Sequence, residues 1–283
     1  MANKISKKDI IAALKEDYTL FYKAMPKAWK EIIPVVTVDF LSECGLHFTT
    51  KHNGKMAGMD SISTTCKKNE ICKSRIRAAF ENLGIEWSDD PKKARQAVRE
   101  YLKKNPLATN ISICAFCFSD VQQDYMSSMV DPLARNNEIL NNGIIHKDWI
   151  PVINVLFFRG ESFGDFASVN AVINFFNFAK ANKGVNFTAW TKNLVFFRRA
   201  IDAGNKKPAN FKLVYSSQFI NKKAIVPEWA AGFVNAVFTV YTPEFAAANN
   251  ITINCGARAC LACLRCYKGY KKGQIKEVNE LLK

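Results

Sequence analysis

The chain has 283 residues, 48% of them hydrophobic, enough to bury one large core and to exclude a disordered polypeptide. Its 40 Lys and Arg against 25 Asp and Glu leave a formal charge of +15, which favours a polyanionic partner by long-range attraction, nucleic acid first. No apolar run reaches the roughly eighteen residues of a membrane span, and the opening Met-Ala-Asn-Lys-Ile-Ser-Lys-Lys-Asp leads into a polar helix rather than a signal peptide, so a cytoplasmic protein with no membrane partner is expected.

In chain order, residues 6–24 carry Ile10, Ile11, Leu14, Tyr18 and Phe21 at helical spacing behind Ser6 as N-cap. Residues 35–41 are strand-like or a buried helix turn, and 47–51 alternate before the Asn53-Gly54 turn. Residues 1–54 are therefore expected to form an N-terminal helix and lead-in, and 55–283 an α/β cysteine-cluster domain with a helical insertion at 73–113. The insertion holds a helix at 75–83 and another opened by Ser88-Asp-Asp-Pro91 and running to about residue 104, with cap, first-turn acids and proline where a helix start wants them. A strand at 110–114 should deliver Cys114-Ala-Phe-Cys117, followed by one long helix over about 120–141.

From residue 150 the pattern alternates. Strands are predicted at 152–158, 185–190, 211–216, 236–241 and 251–254, and helices at 168–181, 193–203 and 227–235. Buried strands alternating with helices predict an α/β fold with a parallel sheet, closed or partly closed into a TIM-like barrel. Polar residues stand where each apolar run stops: Arg159 and Glu161, Thr191 and Lys192, Ser216-Ser217-Gln218, Thr242, then Cys255. Ligands of parallel α/β folds bind at the carboxyl ends of the strands, so these residues are expected to converge.

The chain has nine cysteines, which in a reducing compartment argue for thiolate or metal chemistry over disulfides. Cys255, Cys260, Cys263 and Cys266 lie within twelve residues. Disulfides between such neighbours would close very small loops, whereas C-x2-C-x2-C supplies corners of an iron–sulfur cluster. Structural zinc usually separates two C-x2-C knuckles by a dozen residues or more, so the unbroken run favours a 4Fe-4S cluster, with zinc as the alternative. Cys66, Cys72, Cys114 and Cys117 make a second group of four across the insertion, able to hold a second cluster or a zinc. Cys44 is left as a core residue.

Other motifs exclude more than they suggest. Gly160-Glu-Ser-Phe-Gly164 matches the nucleophile elbow, but the histidines are His47, His52 and His146, all upstream of the serine, so no general base follows it. The phosphate-binding loop, the dinucleotide fingerprint and the zinc-protease helix motif are all absent.

One set of short motifs runs in order from about residue 55: Lys55-Met56, the Ser-rich loop, the cysteine pair, Cys117-Phe-Ser, Arg135-Asn136-Asn137, Phe158-Arg159 with Gly164-Asp165, Thr191-Lys192 after an aromatic, and the terminal cysteines followed by Tyr267 and Lys271-Lys272-Gly273-Gln274. This order resembles the phage gene-product-88 family. The resemblance implies a phage-encoded protein of the host cytoplasm, with a cysteine arrangement similar to that of radical S-adenosylmethionine proteins. Gly160 stands where that family usually has a histidine.

A radical enzyme would show C-x3-C-x2-C and leave one iron open, whereas four thiolates cap every iron. The expectation is therefore a protein with one or two iron–sulfur clusters, structural or redox-sensing, that binds nucleic acid through Lys192, Arg198, Arg199, Lys206 and Lys207. The alternatives are a radical S-adenosylmethionine enzyme whose pocket is lined by Arg159, Glu161, Asp165 and Lys192, and a phage protein whose insertion binds a host protein.

Overall fold

The computed structural model describes residues 46–49, 59–86, 91–150, 152–153, 155–256, 259–271 and 273–282. The helix expected at 6–24, the stretch at 35–41, the Asn53-Gly54 turn, residues 88–90 and Cys44 lie outside them. Among the described residues seven strands form one sheet whose spatial order is the chain order. They are β1 (Phe48–Thr49), β2 (Asp60–Ile62), β3 (Phe157–Gly160), β4 (Asn186–Thr191), β5 (Phe211–Ser216), β6 (Ala236–Tyr241) and β7 (Lys276–Leu281). β1 is antiparallel to β2, and every later pair is parallel.

The helices are α1 (Glu70–Glu81), α2 (Pro91–Lys104), α3 (Phe118–Tyr125), α4 (Val130–Asn142), α5 (Val169–Ala181), α6 (Leu194–Asp202), α7 (Pro243–Ala248) and a single turn, α8 (Cys260–Cys263). Parallel connections are right-handed, so a strand order that never reverses stacks successive helices on one side of the sheet. The main core follows: Phe158, Phe187, Ala189, Phe211 and Leu213 from the sheet meet Ile139 and Leu140 of α4, Phe175, Phe176 and Phe178 of α5, and Phe197 of α6. Gly160 permits the close approach of α5, since a Cβ there would lie 2.8 Å from Phe175 Cε1.

The opposite face is covered by the cysteine-rich tail. Phe157 packs with Tyr267, Cys260 and Cys266, while Val214, Ala236 and Val278 pack with Cys255, Cys266 and Tyr270. The insertion builds a smaller core from Ile76, Phe80, Val98 and Leu102 with Ile111 and Ile220. It docks on the β5–β6 connection through Ile113 N donating to Gln218 O and Ile220 N donating to Ile111 O.

Winding in one direction is that of a barrel, but among the described residues β1 and β7 are separate edges and closure into a TIM-like barrel is not seen. The outer side of β7 is occupied instead by the tail, where Asn254 N and Cys255 N both donate to Asn279 O. Other expectations also change. Residues 110–114 give no strand, only an isolated bridge from Ser112 to Phe219 and a 3-10 turn at Ile113–Phe116. The long helix over 120–141 is two, broken at Met126 (φ −121°, ψ 63°). Pro132 explains the second start, because proline is tolerated in the first turn of a helix and not in its interior. The strand at 152–158 begins at Phe157, residues 227–235 hold only a 3-10 turn at Glu228–Ala230, and 251–254 are irregular. The final strand is β7, paired with β6 over its whole length.

Candidate metal centre

The carboxyl edge of the central strands is held together by Asp165. Its Oδ1 accepts from Thr191 Oγ1 (2.6 Å) and Phe166 N (2.8 Å), and its Oδ2 from Lys192 N (2.9 Å) and Arg75 Nη1 (3.3 Å). Arg75 also donates to Asn193 Oδ1, and Asn69 Nδ2 donates to Asp165 O at 3.1 Å. One carboxylate thus ties the β3 loop, the end of β4 and α1. Arg75, Asn69 and Asn193 carried no signal in the sequence, since each sits in an ordinary helix or cap context.

This scaffold places the first cysteine group. Thr65 caps a 3-10 turn beginning at Cys66, and Asn69 caps α1 by accepting from Ile71 N and Cys72 N. Cys114 and Cys117 lie in and at the end of the 3-10 turn capped by Ser112. Cys66 Sγ and Cys117 Sγ stand 3.9 Å apart. A hydrogen bond from Cys117 favours the Cys66 thiolate, but the hydrogen bond that the Cys66 thiol donates to Cys72, together with burial, outweighs it and raises the Cys66 thiol. Cys117 is raised by its bond to Cys66 and by burial. Burial also raises Cys114, against the charges of Lys192 and Arg75. Burial alone would lower Lys192, yet Cys114, Asp165 and Cys117 together raise it. Cys66 and Cys117 thus meet, Cys72 hydrogen-bonds with Cys66, Cys117 acts on Cys114, and the charges of Lys192 and Arg75 act on Cys114.

That charge balance fits a metal. Buried thiols resist ionisation, and a coordinated ion removes their protons outright, after which Arg75 and Lys192 offset the thiolate charge. The 3.9 Å separation matches one edge of a tetrahedral four-thiolate site, about 3.8 Å for metal–sulfur bonds of about 2.3 Å. Among the described residues no group of three or more Cys, His, Asp or Glu is arranged to hold a metal ion.

The second group lies on the tail. Cys260 and Cys263 share the turn α8, which Leu264 ends in the left-handed region (φ 50°) with its N–H on Cys260 O at 2.7 Å. Burial pushes Cys266 up to about 12, with Cys255, Cys260 and Cys263 adding to the rise and Arg159 opposing it. Cys266 O accepts from Thr188 Oγ1 (3.1 Å) and Tyr270 Oη (2.8 Å), which fixes the tail to β4. Arg159 lies over the Trp190 ring, 3.8 Å from its centroid.

Glu161 follows β3 with a left-handed backbone (φ 53°). Its Oε2 accepts from Thr64 N (2.9 Å) and Thr64 Oγ1 (2.7 Å), and burial raises the carboxyl to about 8 against those bonds. Glu161, Asp165 and Lys192 thus gather at the carboxyl edge, while Arg159 faces the tail. Ser217 and Thr242 instead anchor loops, through Ser217 Oγ donating to Phe219 O and Thr242 Oγ1 to Pro106 O.

The five basic residues are dispersed. Lys192 is at the carboxyl end of β4, whereas Lys206 and Lys207 precede β5 at the opposite edge. Lys207 Nζ donates to Phe211 O (2.8 Å) and Asn235 Oδ1 (3.1 Å), and burial lowers it to about 8. Arg198, Arg199 and Lys206 are exposed, with Arg198 paired to Asp202 at 2.7 Å. Among the described residues no helix is long and apolar enough to cross a membrane.

Fold and sites together define a mostly parallel α/β protein, wound in one direction and carrying cysteine groups at the strand ends and on the tail. A family model described as gene product 88 matches residues 42–279, and the chain belongs to that family, the one its motifs resemble. No curated protein and no solved structure matches it.

Proposed function

We propose that the chain is an iron–sulfur protein whose working centre is held by Cys66, Cys72, Cys114 and Cys117, with a second centre on Cys255, Cys260, Cys263 and Cys266 and with zinc as the alternative metal. The observation that carries this reading is the meeting of Cys66 and Cys117, from two sides of the insertion, within reach of Cys114 and of the Lys192 charge. A four-iron cluster binds each thiolate through a different iron, so its cysteines need not crowd around one ion. When bound, such a cluster supplies one-electron transfer. Arg75 and Lys192 offset its negative charge, Asp165 fixes Arg75 and the Lys192 backbone, and the apolar walls of the insertion core exclude water. The tail group pins the crossing segment to the sheet.

Anaerobic purification followed by iron, sulfide and zinc analysis tests the proposal. Two clusters per chain with charge-transfer absorption are expected; zinc without iron would end the redox reading, and neither metal would end both. A radical S-adenosylmethionine reaction requires an open iron, so cofactor cleavage by the reduced protein would show that one of the four cysteines at the strand ends is not a ligand.

A second reading, nucleic-acid binding, is favoured by the net charge of +15 and the exposure of Arg198, Arg199 and Lys206. Binding should weaken steeply with salt, and removing one phosphate-contacting residue should lower the salt slope by about one. Salt-insensitive binding would reject it.

A further inference from the structure

The layer of long helices over the sheet ends at α6. After it the β5–β6 connection holds a 3-10 turn at Glu228–Ala230, and the β6–β7 connection holds the six-residue α7 and the single turn α8. Phe238 and Val278 pack with the tail, so the residues that alternate with them, Thr239 beside Asn279 and then Tyr241 and Glu277, stand on the other face of β6 and β7. A cavity of about 620 Å³ opens at this corner, within the roughly 300–1,000 Å³ of small-molecule sites. It is lined by Tyr241, Glu277 and Asn279 of the sheet, Phe245 of α7, and Asn250 and Thr252 beyond it.

The charged and the neutral polar groups of the wall differ in what they leave for a ligand. Lys223, also in the wall, forms an ion pair with Glu277, so the two charges cancel. Asn279 is 9% exposed, and its N–H donates to Asn254 Oδ1 (3.0 Å), its Nδ2 donates to Thr252 O (3.1 Å), and its carbonyl accepts from Asn254 N and Cys255 N. Its Oδ1 has no partner among the described residues. The same holds for the hydroxyl of Tyr241, which is 4% exposed, and neither atom is sealed inside the core. Both residues line the cavity, which is where these atoms are left to bond.

We propose that this cavity binds a neutral sugar through its hydroxyl groups. The lining selects the class. With Lys223 and Glu277 paired, a charged ligand would give up hydration without gaining a counterion. A sugar hydroxyl both donates and accepts, and the wall offers both: an acceptor at Asn279 Oδ1, hydroxyls at Tyr241 and Thr252, and an amide at Asn250. The Tyr241 and Phe245 rings stack on each other at 5.9 Å and 16°, so the ring face a nucleobase would use is already taken while the Tyr241 hydroxyl is not. The cysteine groups supply none of these contacts, so the site stands independently of which metal they hold.

The test uses the full chain purified with its metals. Glucose and maltose are the probes, with glucose 6-phosphate, glucosamine and adenine as the anionic, cationic and flat-ring comparisons, and binding is read by saturation-transfer NMR and calorimetry. Saturable binding of a neutral sugar, tighter than that of either charged sugar or of adenine, is expected. Tyr241→Phe removes a hydroxyl with no protein partner, and Asn250→Gly suits a backbone already in the left-handed region (φ 53°), so both variants should keep or gain stability. Each should bind the sugar about fivefold more weakly, the contribution of one hydrogen bond. No saturable binding of either probe, binding of adenine or glucose 6-phosphate as tight as that of glucose, or sugar binding left unchanged by both Tyr241→Phe and Asn250→Gly would each overturn the proposal.

Discussion

The sulfurs of Cys66 and Cys117 lie 3.9 Å apart although 51 positions separate them in the chain. Residues that ligate one centre act as a unit, so their losses should not add. Cys66→Ala and Cys117→Ala should each remove the metal of one site, and the double variant should remove no more than either single change. Elemental analysis of anaerobically purified protein checks this, and full metal content in both single variants would show that these cysteines hold none.

Asp165 accepts four hydrogen bonds at the carboxyl edge, one of them from the Arg75 guanidinium. Removing one partner of a buried ion pair strands the other, at a cost of roughly 3–5 kcal/mol. Asp165→Ala should lose about that much in urea unfolding, with the midpoint moved and the slope kept. A loss under about 1 kcal/mol would mean that Arg75 and Lys192 find water instead.

Glu161 gives a pH signature of unusual sign. Its folded value is raised from 4.5 to about 8, chiefly by burial, with Asp165 adding to the rise. Between those limits the folded chain keeps a proton that the unfolded chain has released. Wild type should therefore lose stability relative to Glu161→Gln as pH climbs through that window, by on the order of 3–5 kcal/mol in full, and the difference should level off above it. Parallel stability profiles of the two proteins from pH 4 to 9 would refute the buried acid.

Two glycines differ in why they are needed. At Gly160 an added methyl would meet Phe175 at 2.8 Å, so Gly160→Ala should cost about 1–3 kcal/mol by overpacking α5 against β3. Gly164 has φ +75° and a Cβ there would meet the Thr64 backbone oxygen at 2.8 Å, so Gly164→Ala adds backbone strain to a clash with main chain and should cost more. Chemical denaturation of the pair checks the order, and equal stability would contradict it.

Reading the sequence located α5, β4, α6, β5 and β6 to within a residue or so, because each writes its own period in adjacent residues, and α5 its own cap as well, with Ser168 accepting from Ala171 N. β7 was missed because Lys-Glu-Val-Asn-Glu-Leu buries little more than Val278 and Asn279, so its strand character comes from pairing with β6 rather than from its own pattern. α7 was missed despite a Thr242 cap and Pro243 at its first position, since six residues are too few for a period to declare itself.

By itself the sequence determined the composition of both cysteine groups, the one-directional α/β alternation and the family. Tertiary structure alone decided that the sheet is not closed among the described residues, that the tail covers the face opposite the main core, that Lys207 is bonded internally, and that Arg75 and Glu161 matter at the strand ends. The division has a physical cause. Periods and caps are set by neighbours a few residues away, whereas pairing at a sheet edge, the closure of the insertion onto Cys66 and Cys117, and the burial that raises Glu161 all depend on contacts between segments far apart in the chain.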